Sequence, residues 1–166
     1  MLTKPLGTGA IVAARKRGAA SDEMLARAVA IMVELNDGAS RAVLDVGVHA
    51  MTDVTGFGLL GHLHNLCRES GVAAEVDSAS VPVLAGVPEL LDSGDGRSGG
   101  SERNCAWASQ FASFGRDVAS WSQKLLLDAT TSGGLVAAIP ESAADRAPGV
   151  VIGRLTKGSP GTIHVR

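Results

Sequence analysis

The sequence predicts an α/β (α+β) fold, a mixed β-sheet flanked by helices, in a single domain spanning residues 1–166. Three observations lead there. Segments with apolar residues at helical spacing alternate with short apolar runs, without the regular rhythm of a fully parallel sheet. Glycine, at 21 residues, falls between these segments as punctuation and forms no low-complexity tract. A chain of 166 residues that is 45 % hydrophobic and 19 % charged can bury one sizeable core and lies outside the disordered class.

The elements follow in order. "LTKPLG" at 2–7 reads as extended, because the residue before Pro5 is pushed out of the helical region. A helix is expected over 8–17, stopped by Gly18. Ser21 is placed to N-cap a second helix reaching about Leu35, with Asp22 and Glu23 complementing its dipole. "NDG" at 36–38 is turn chemistry, and a short helix over 39–46 follows. Residues 47–52 read as a buried strand. From Phe57 to Ser70, the residues Leu59, Leu60, Leu63, Leu66 and Cys67 share one helical face, with Gly71 at the capping position.

Residues 72–77 are the next strand, and 86–94 a short helix. "SGDGRSGGSERN" at 93–104 is polar and turn-rich, and is expected to be a surface loop long enough to carry function. "KLLLD" at 124–128 reads as a strand entering the turn "ATTSGG", and 135–139 as another strand. "ESAADR" offers one or two helical turns, and "GVVIGRL" and "TIHVR" close the chain as strands.

Composition excludes several functions. A net charge of -2, with two Trp, three Phe and no Tyr, gives no basic, aromatic-laced surface for nucleic acid. No apolar run is long enough to span a bilayer, so no membrane partner is expected. The N-terminal charges follow a short apolar patch, the reverse of a signal peptide, and the expected location is cytoplasmic. Cys67 and Cys105 have neither metal-like nor redox-like spacing and read as reduced structural thiols.

The stretch that asks for chemistry is "HAMTDVTGFGLLGHL", 49–63. Asp53 follows a strand and precedes two glycines and a helix. It can project from the strand end toward Mg²⁺ bound to nucleotide phosphates, since magnesium takes one or two carboxylates plus phosphate oxygens and water. Alternatively, Asp53 or Thr55 caps the helix, the commoner use of these residues. Thr52, Thr55 and Gly56 are the accompanying candidates for cofactor contact. "GTG" at 7–9 and "TSGG" at 131–134 could each offer backbone N–H groups to a phosphate, but neither matches a P-loop, and plain turns are the favoured reading. His62 and His64, two apart on a helix, point to different sides and make no ligand pair. No nucleophilic triad or Cys/His pair can be assembled, so no catalytic residue is assigned in this chain.

"AMTDVTGFGLLGHL" resembles selenophosphate synthetase (selenide, water dikinase), of the aminoimidazole-ribonucleotide-synthetase-like superfamily. The resemblance extends along almost the whole chain. "LTKPLGTG" is similar to the opening of the family's C-terminal half, "GGSERN" at 99–104 to "GGTxRN", "LLLDATTSGG" at 125–134 to "LLxDPQTSGG", and "VVIGRL" to its closing strand. It implies the C-terminal domain of an enzyme that converts ATP, selenide and water to selenophosphate, AMP and phosphate with Mg²⁺. The reactive Cys or selenocysteine, a Lys and further Asp ligands belong to an N-terminal domain absent here. Asp53 is then the one metal-ligating carboxylate of this half, inactive alone. The implied partners are that N-terminal domain and, for the full-length protein, a second copy in a homodimer.

Two departures carry expectations. Ala129 replaces a family Pro, which should loosen that turn. The segment 140–149 is shorter than the family's helix there, which should uncover part of the sheet. Alternative readings are a free-standing, non-catalytic binding module and a domain of another ATP-using enzyme of the superfamily.

Overall fold

The computed structural model describes all 166 residues. Helix α1 spans Thr8–Lys16, α2 Asp22–Val33 and α3 Asp37–Asp45. Strand β1 (Ala50–Asp53) leads into α4 (Gly58–Glu69) and β2 (Ala73–Val76). Then come α5 (Val87–Ser93), α6 (Gly99–Ala108), β3 (Ala112–Phe114) and α7 (Ser120–Leu126). Strands β4 (Leu135–Ala138), β5 (Gly153–Thr156) and β6 (Ile163–Val165) complete the chain. One-turn 3₁₀ helices occupy Ser78–Ser80 and, somewhat longer, Glu141–Arg146.

The mixed sheet is real and comes in two pieces. Four strands run in the order β3-β6-β2-β5, and β1 pairs with β4 separately. β6 is parallel to both β2 and β3, whereas β5 is antiparallel to β2. Leu2 bridges Val136 of β4 and also Val150, three residues ahead of β5. Helix α4 packs against β1, β2 and β4, placing Leu59, Leu60, Leu63 and Cys67 in the main core.

Local signals explain the elements that were anticipated. Ser21 Oγ accepts from the Met24 amide at 3.2 Å, so the α2 cap forms as expected. Gly71 adopts φ 69 after α4, where a left-handed residue ends a helix.

Three expectations are corrected. Strand β1 covers 50–53, not 47–52, and its residues are half-buried with Asp53 exposed, because it is one of only two strands in its sheet. Residues 99–104 are not loop but the start of α6, with Ser98 Oγ accepting from the Ser101 amide at 3.2 Å. "KLLLD" is no strand: Lys124–Leu126 end α7, which packs against α5 and buries Ser122, Leu125 and Leu126, and Leu127 is its C-cap; a short apolar run does not reveal its period.

Residues Pro140, Glu141 and Ala144 border a cavity of about 630 Å³, lined also by Val76, Val136, Ala138 and Leu155, among others.

Candidate metal and phosphate site

Asp53 is the last residue of β1, paired in register with Leu135, and its side chain is exposed. The Thr52 hydroxyl lies 3.5 Å from Asp53 Oδ1, the only side-chain neighbour the carboxylate has within hydrogen-bond reach. Helix α4 begins without a side-chain cap, so neither Asp53 nor Thr55 is spent on it. The carboxylate oxygens are therefore open to an external cation. No three His, Cys, Asp or Glu side chains are gathered to hold a metal ion, so Asp53 fits Mg²⁺ only as one ligand among others from outside this chain.

The turn after Asp53 is gripped from three sides. The Val54 amide donates to Gly134 O at 2.8 Å. The Thr130 amide donates to Thr55 O at 3.0 Å. Asn104 Nδ2 donates to both Gly56 O (2.9 Å) and Leu127 O (3.0 Å). Gly58, with φ 69, lets this turn lie against Leu127, whose carbonyl carbon would stand 2.8 Å from an added Cβ. Thr55 Oγ1 shares a 3.1 Å hydrogen bond with His62 Nε2. Burial pushes the His62 pKa down, against a smaller upward pull from the Asp53 charge. His62 is thus held in its neutral form at neutral pH beside the turn. Phe57, exposed at 52 %, lies over His62 with ring centroids 5.5 Å apart.

Asp128 was not singled out by the sequence, where it ends an apparent strand. It is 1 % exposed. Its Oδ2 accepts from the Ala10 amide at 2.8 Å and its Oδ1 from Ser101 Oγ at 2.6 Å. Desolvation raises its pKa to about 6, with the hydrogen bonds from Ser101, Ala10 and Ala129 opposing. The carboxylate thereby joins the first turns of α1 and α6. Ser101 and Asn104, three apart on α6, are the polar inward face that hides this helix from an apolar periodicity search.

This arrangement decides the role of "GTG". The Ala10 amide at the head of α1 is already taken by Asp128, and a Cβ at Gly9 would overlap Ala129 O. The glycines permit close packing, and the plain-turn reading stands there. At 129, where the resemblance implies Pro, the Ala129 amide, a donor that Pro lacks, reaches Ser101 Oγ at 3.3 Å. Lys4, 4 % exposed, donates from Nζ to Glu34 O (2.6 Å) and Ser132 O (3.3 Å). Neither thiol is poised as a nucleophile: burial pushes the Cys67 pKa up to about 11 and raises that of Cys105 as well.

The family model "AIR synthase related protein, C-terminal domain" matches residues 1–96, and the chain belongs to that family. Within it, the chain is similar to selenide, water dikinase. Over 146 residues it is 44 % identical to the enzymes of Escherichia coli K12 and Shigella flexneri, covering 85 % of this chain. It spans 40 % of the length of these relatives. The same fold occurs in thiamine-monophosphate kinase from Stenotrophomonas maltophilia (TM-score 0.67, 20 % identity), covering 99 % of this chain and 48 % of that one. Escherichia coli HypE, a hydrogenase maturation protein, also shares it (TM-score 0.61, 14 % identity, 99 % and 44 % covered). No helix is long and apolar enough to cross a membrane.

Proposed function

We propose that this chain acts as the C-terminal domain of an ATP-dependent selenophosphate synthetase in the cytoplasm, converting ATP, selenide and water to selenophosphate, AMP and phosphate. One observation carries the reading: Asp53 ends β1 with its carboxylate exposed and uncapped, in a turn fixed by Asn104, Thr130 and Gly134. Phosphoryl transfer depends on metal charge and positioning more than on a protein nucleophile, so a rigidly held carboxylate is a useful contribution. Asp53 would hold Mg²⁺ together with phosphate oxygens and with ligands from an N-terminal domain; Mg²⁺ would neutralise the phosphate charge. Thr52, Thr55 and Gly56 flank that position and would be the residues of this chain placed to contact the nucleotide. The 44 % identity to selenide, water dikinase over 85 % of the chain supports this substrate assignment above others in the family.

The test is reconstitution. The chain is combined with the N-terminal portion of the Escherichia coli enzyme, and AMP and selenophosphate are followed by ³¹P NMR. Turnover is expected with both parts and Mg²⁺, none with the chain alone, and none with Asp53→Ala. Turnover by the isolated chain, or undiminished turnover with Asp53→Ala, overturns the reading. Binding to the N-terminal portion without turnover would favour a non-catalytic binding module.

A further inference from the structure

The geometry points to an oxyanion site in the loop Thr131–Gly134, where successive backbone N–H groups would cradle one phosphate group of a substrate beside Asp53. Four consecutive amides, those of Thr131, Ser132, Gly133 and Gly134, donate to no backbone or side-chain acceptor in the chain. Gly133 and Gly134 are buried as residues, and most backbone N–H groups in folded proteins have a partner. Thr131 and Ser132 are exposed, so the row of donors opens to solvent at one end.

The carbonyls of the same loop explain where those donors point. Ser132 O accepts from Lys4 Nζ at 3.3 Å, Gly133 O from Asn36 Nδ2 at 2.8 Å, and Gly134 O from the Val54 amide at 2.8 Å. In a trans peptide the carbonyl and the following N–H point in opposite directions. Fixing the first two carbonyls on Lys4 and Asn36 therefore turns the Gly133 and Gly134 amides away from those side chains. Ser132 adopts φ 51, the only non-glycine residue in the left-handed region, as occurs where successive N–H groups converge on an anion.

Charge favours the same ligand. Lys4 is buried, yet no carboxylate lies within ion-pair distance of it. Its ammonium sits behind the Ser132–Gly133 peptide and aligns that dipole with positive potential on the N–H side. An anion on that side would meet the N–H end of a dipole polarised by the ammonium, at longer range than an ion pair. The loop is also next to the metal candidate, since Leu135 pairs with Asp53 and Gly134 O holds the Val54 amide. Metal carboxylate and anion cradle together match a magnesium polyphosphate. Only the identity of the anion rests on the function proposed above; the cradle itself rests on the loop.

The experiment is a titration of the ¹⁵N-labelled chain with inorganic phosphate, followed by amide shifts, with sodium chloride at matched ionic strength as reference. Saturable shifts centred on residues 131–134 are expected with phosphate and not with chloride. Thr131→Glu places a like charge at the open end and should weaken binding about fivefold or more. Lys4→Met should weaken it as well, the dispersion of the spectrum reporting whether that variant is folded. Shifts absent from 131–134, equal with chloride, centred on the α4 amides, or unchanged in Thr131→Glu would overturn the assignment. Repeating the titration with Mg²⁺ on Asp53→Asn separates the two readings. If phosphate still shifts 131–134 and Mg²⁺ has no Asp53-dependent effect, the metal role falls and the cradle stands.

Discussion

Asp128 accepts a 2.6 Å hydrogen bond from Ser101 Oγ at a site where the carboxyl is 1 % exposed. That bond, with the one from the Ala10 amide at 2.8 Å, ties the first turns of α1 and α6 to the segment that braces the Asp53 turn. A buried carboxylate with only neutral donors and no cation is costly to ionise, and desolvation holds its pKa at about 6 and not 3.8.

The pH dependence of stability follows with a definite sign. The folded chain holds the Asp128 proton more tightly than the unfolded chain does. This contribution is fully present below about pH 3.8 and is lost as pH rises through about 6. Its full size is on the order of 3 kcal/mol, from about 1.4 kcal/mol per pKa unit. His62, whose pKa is lowered, contributes oppositely: its stability is present above its unfolded pKa of about 6.5 and is lost on acidification. Comparing urea midpoints of the wild type and Asp128→Asn from pH 4 to 7 isolates the first group. The Asn variant should lack the fall between pH 4 and 6; an identical fall in both proteins would remove Asp128 as its source.

Asn104 bridges Gly56 O and Leu127 O with one amide group, buried at 6 % exposure. Asn104→Leu keeps the volume and deprives both carbonyls of their donor. A loss of about 1–3 kcal/mol is expected from orphaning buried acceptors. Urea denaturation measures it, and amide exchange at Gly58 and Thr130, both donors to Thr55 O, should quicken in parallel. A loss below about 0.5 kcal/mol, the level of an ordinary surface change, would show that solvent takes over the role.

The two cysteines should separate cleanly under a thiol reagent. Cys67 is fully buried on α4, and its pKa is pushed up to about 11; Cys105 is exposed on α6. A disulfide-exchange dye should titrate one thiol in the native chain and both in denaturant. Two thiols reacting natively would mean that α4 opens from the core on the reagent's timescale.

The main architecture was legible in the sequence wherever an element carried its own local signal. Ser21, the Leu59–Cys67 stripe and Gly71 define α2 and α4 without help from the rest of the chain. Helix α6 was hidden because its buried residues are Ser101, Asn104 and Ala108, and its first two residues are glycines of poor helix propensity. Ser98 ahead of Glu102 was the faint cue, a cap followed by an acidic first turn. At the site, the position of Asp53 was readable, but Asp128 and Lys4 were not. Their significance lies in partners more than a hundred residues away, Ala10 for one and Ser132 for the other.

Replacing Asp53 by Ala tests the central claim with stability as an internal control. The side chain is exposed, caps no helix and has only a long contact with Thr52 to lose. Its removal should change unfolding free energy by no more than about 0.5 kcal/mol, as for a surface position without a structural task. A cap would instead be worth about 0.5–2 kcal/mol. On the metal role proposed for Asp53, the same change should abolish Mg²⁺-dependent turnover in the reconstituted enzyme while the fold remains. The pair of results distinguishes the roles: intact stability with lost turnover identifies a metal ligand, and lowered stability with surviving turnover identifies a structural carboxylate. The geometry supports the first, since no helix cap and no ion pair inside the chain uses the carboxylate that β1 places at its end.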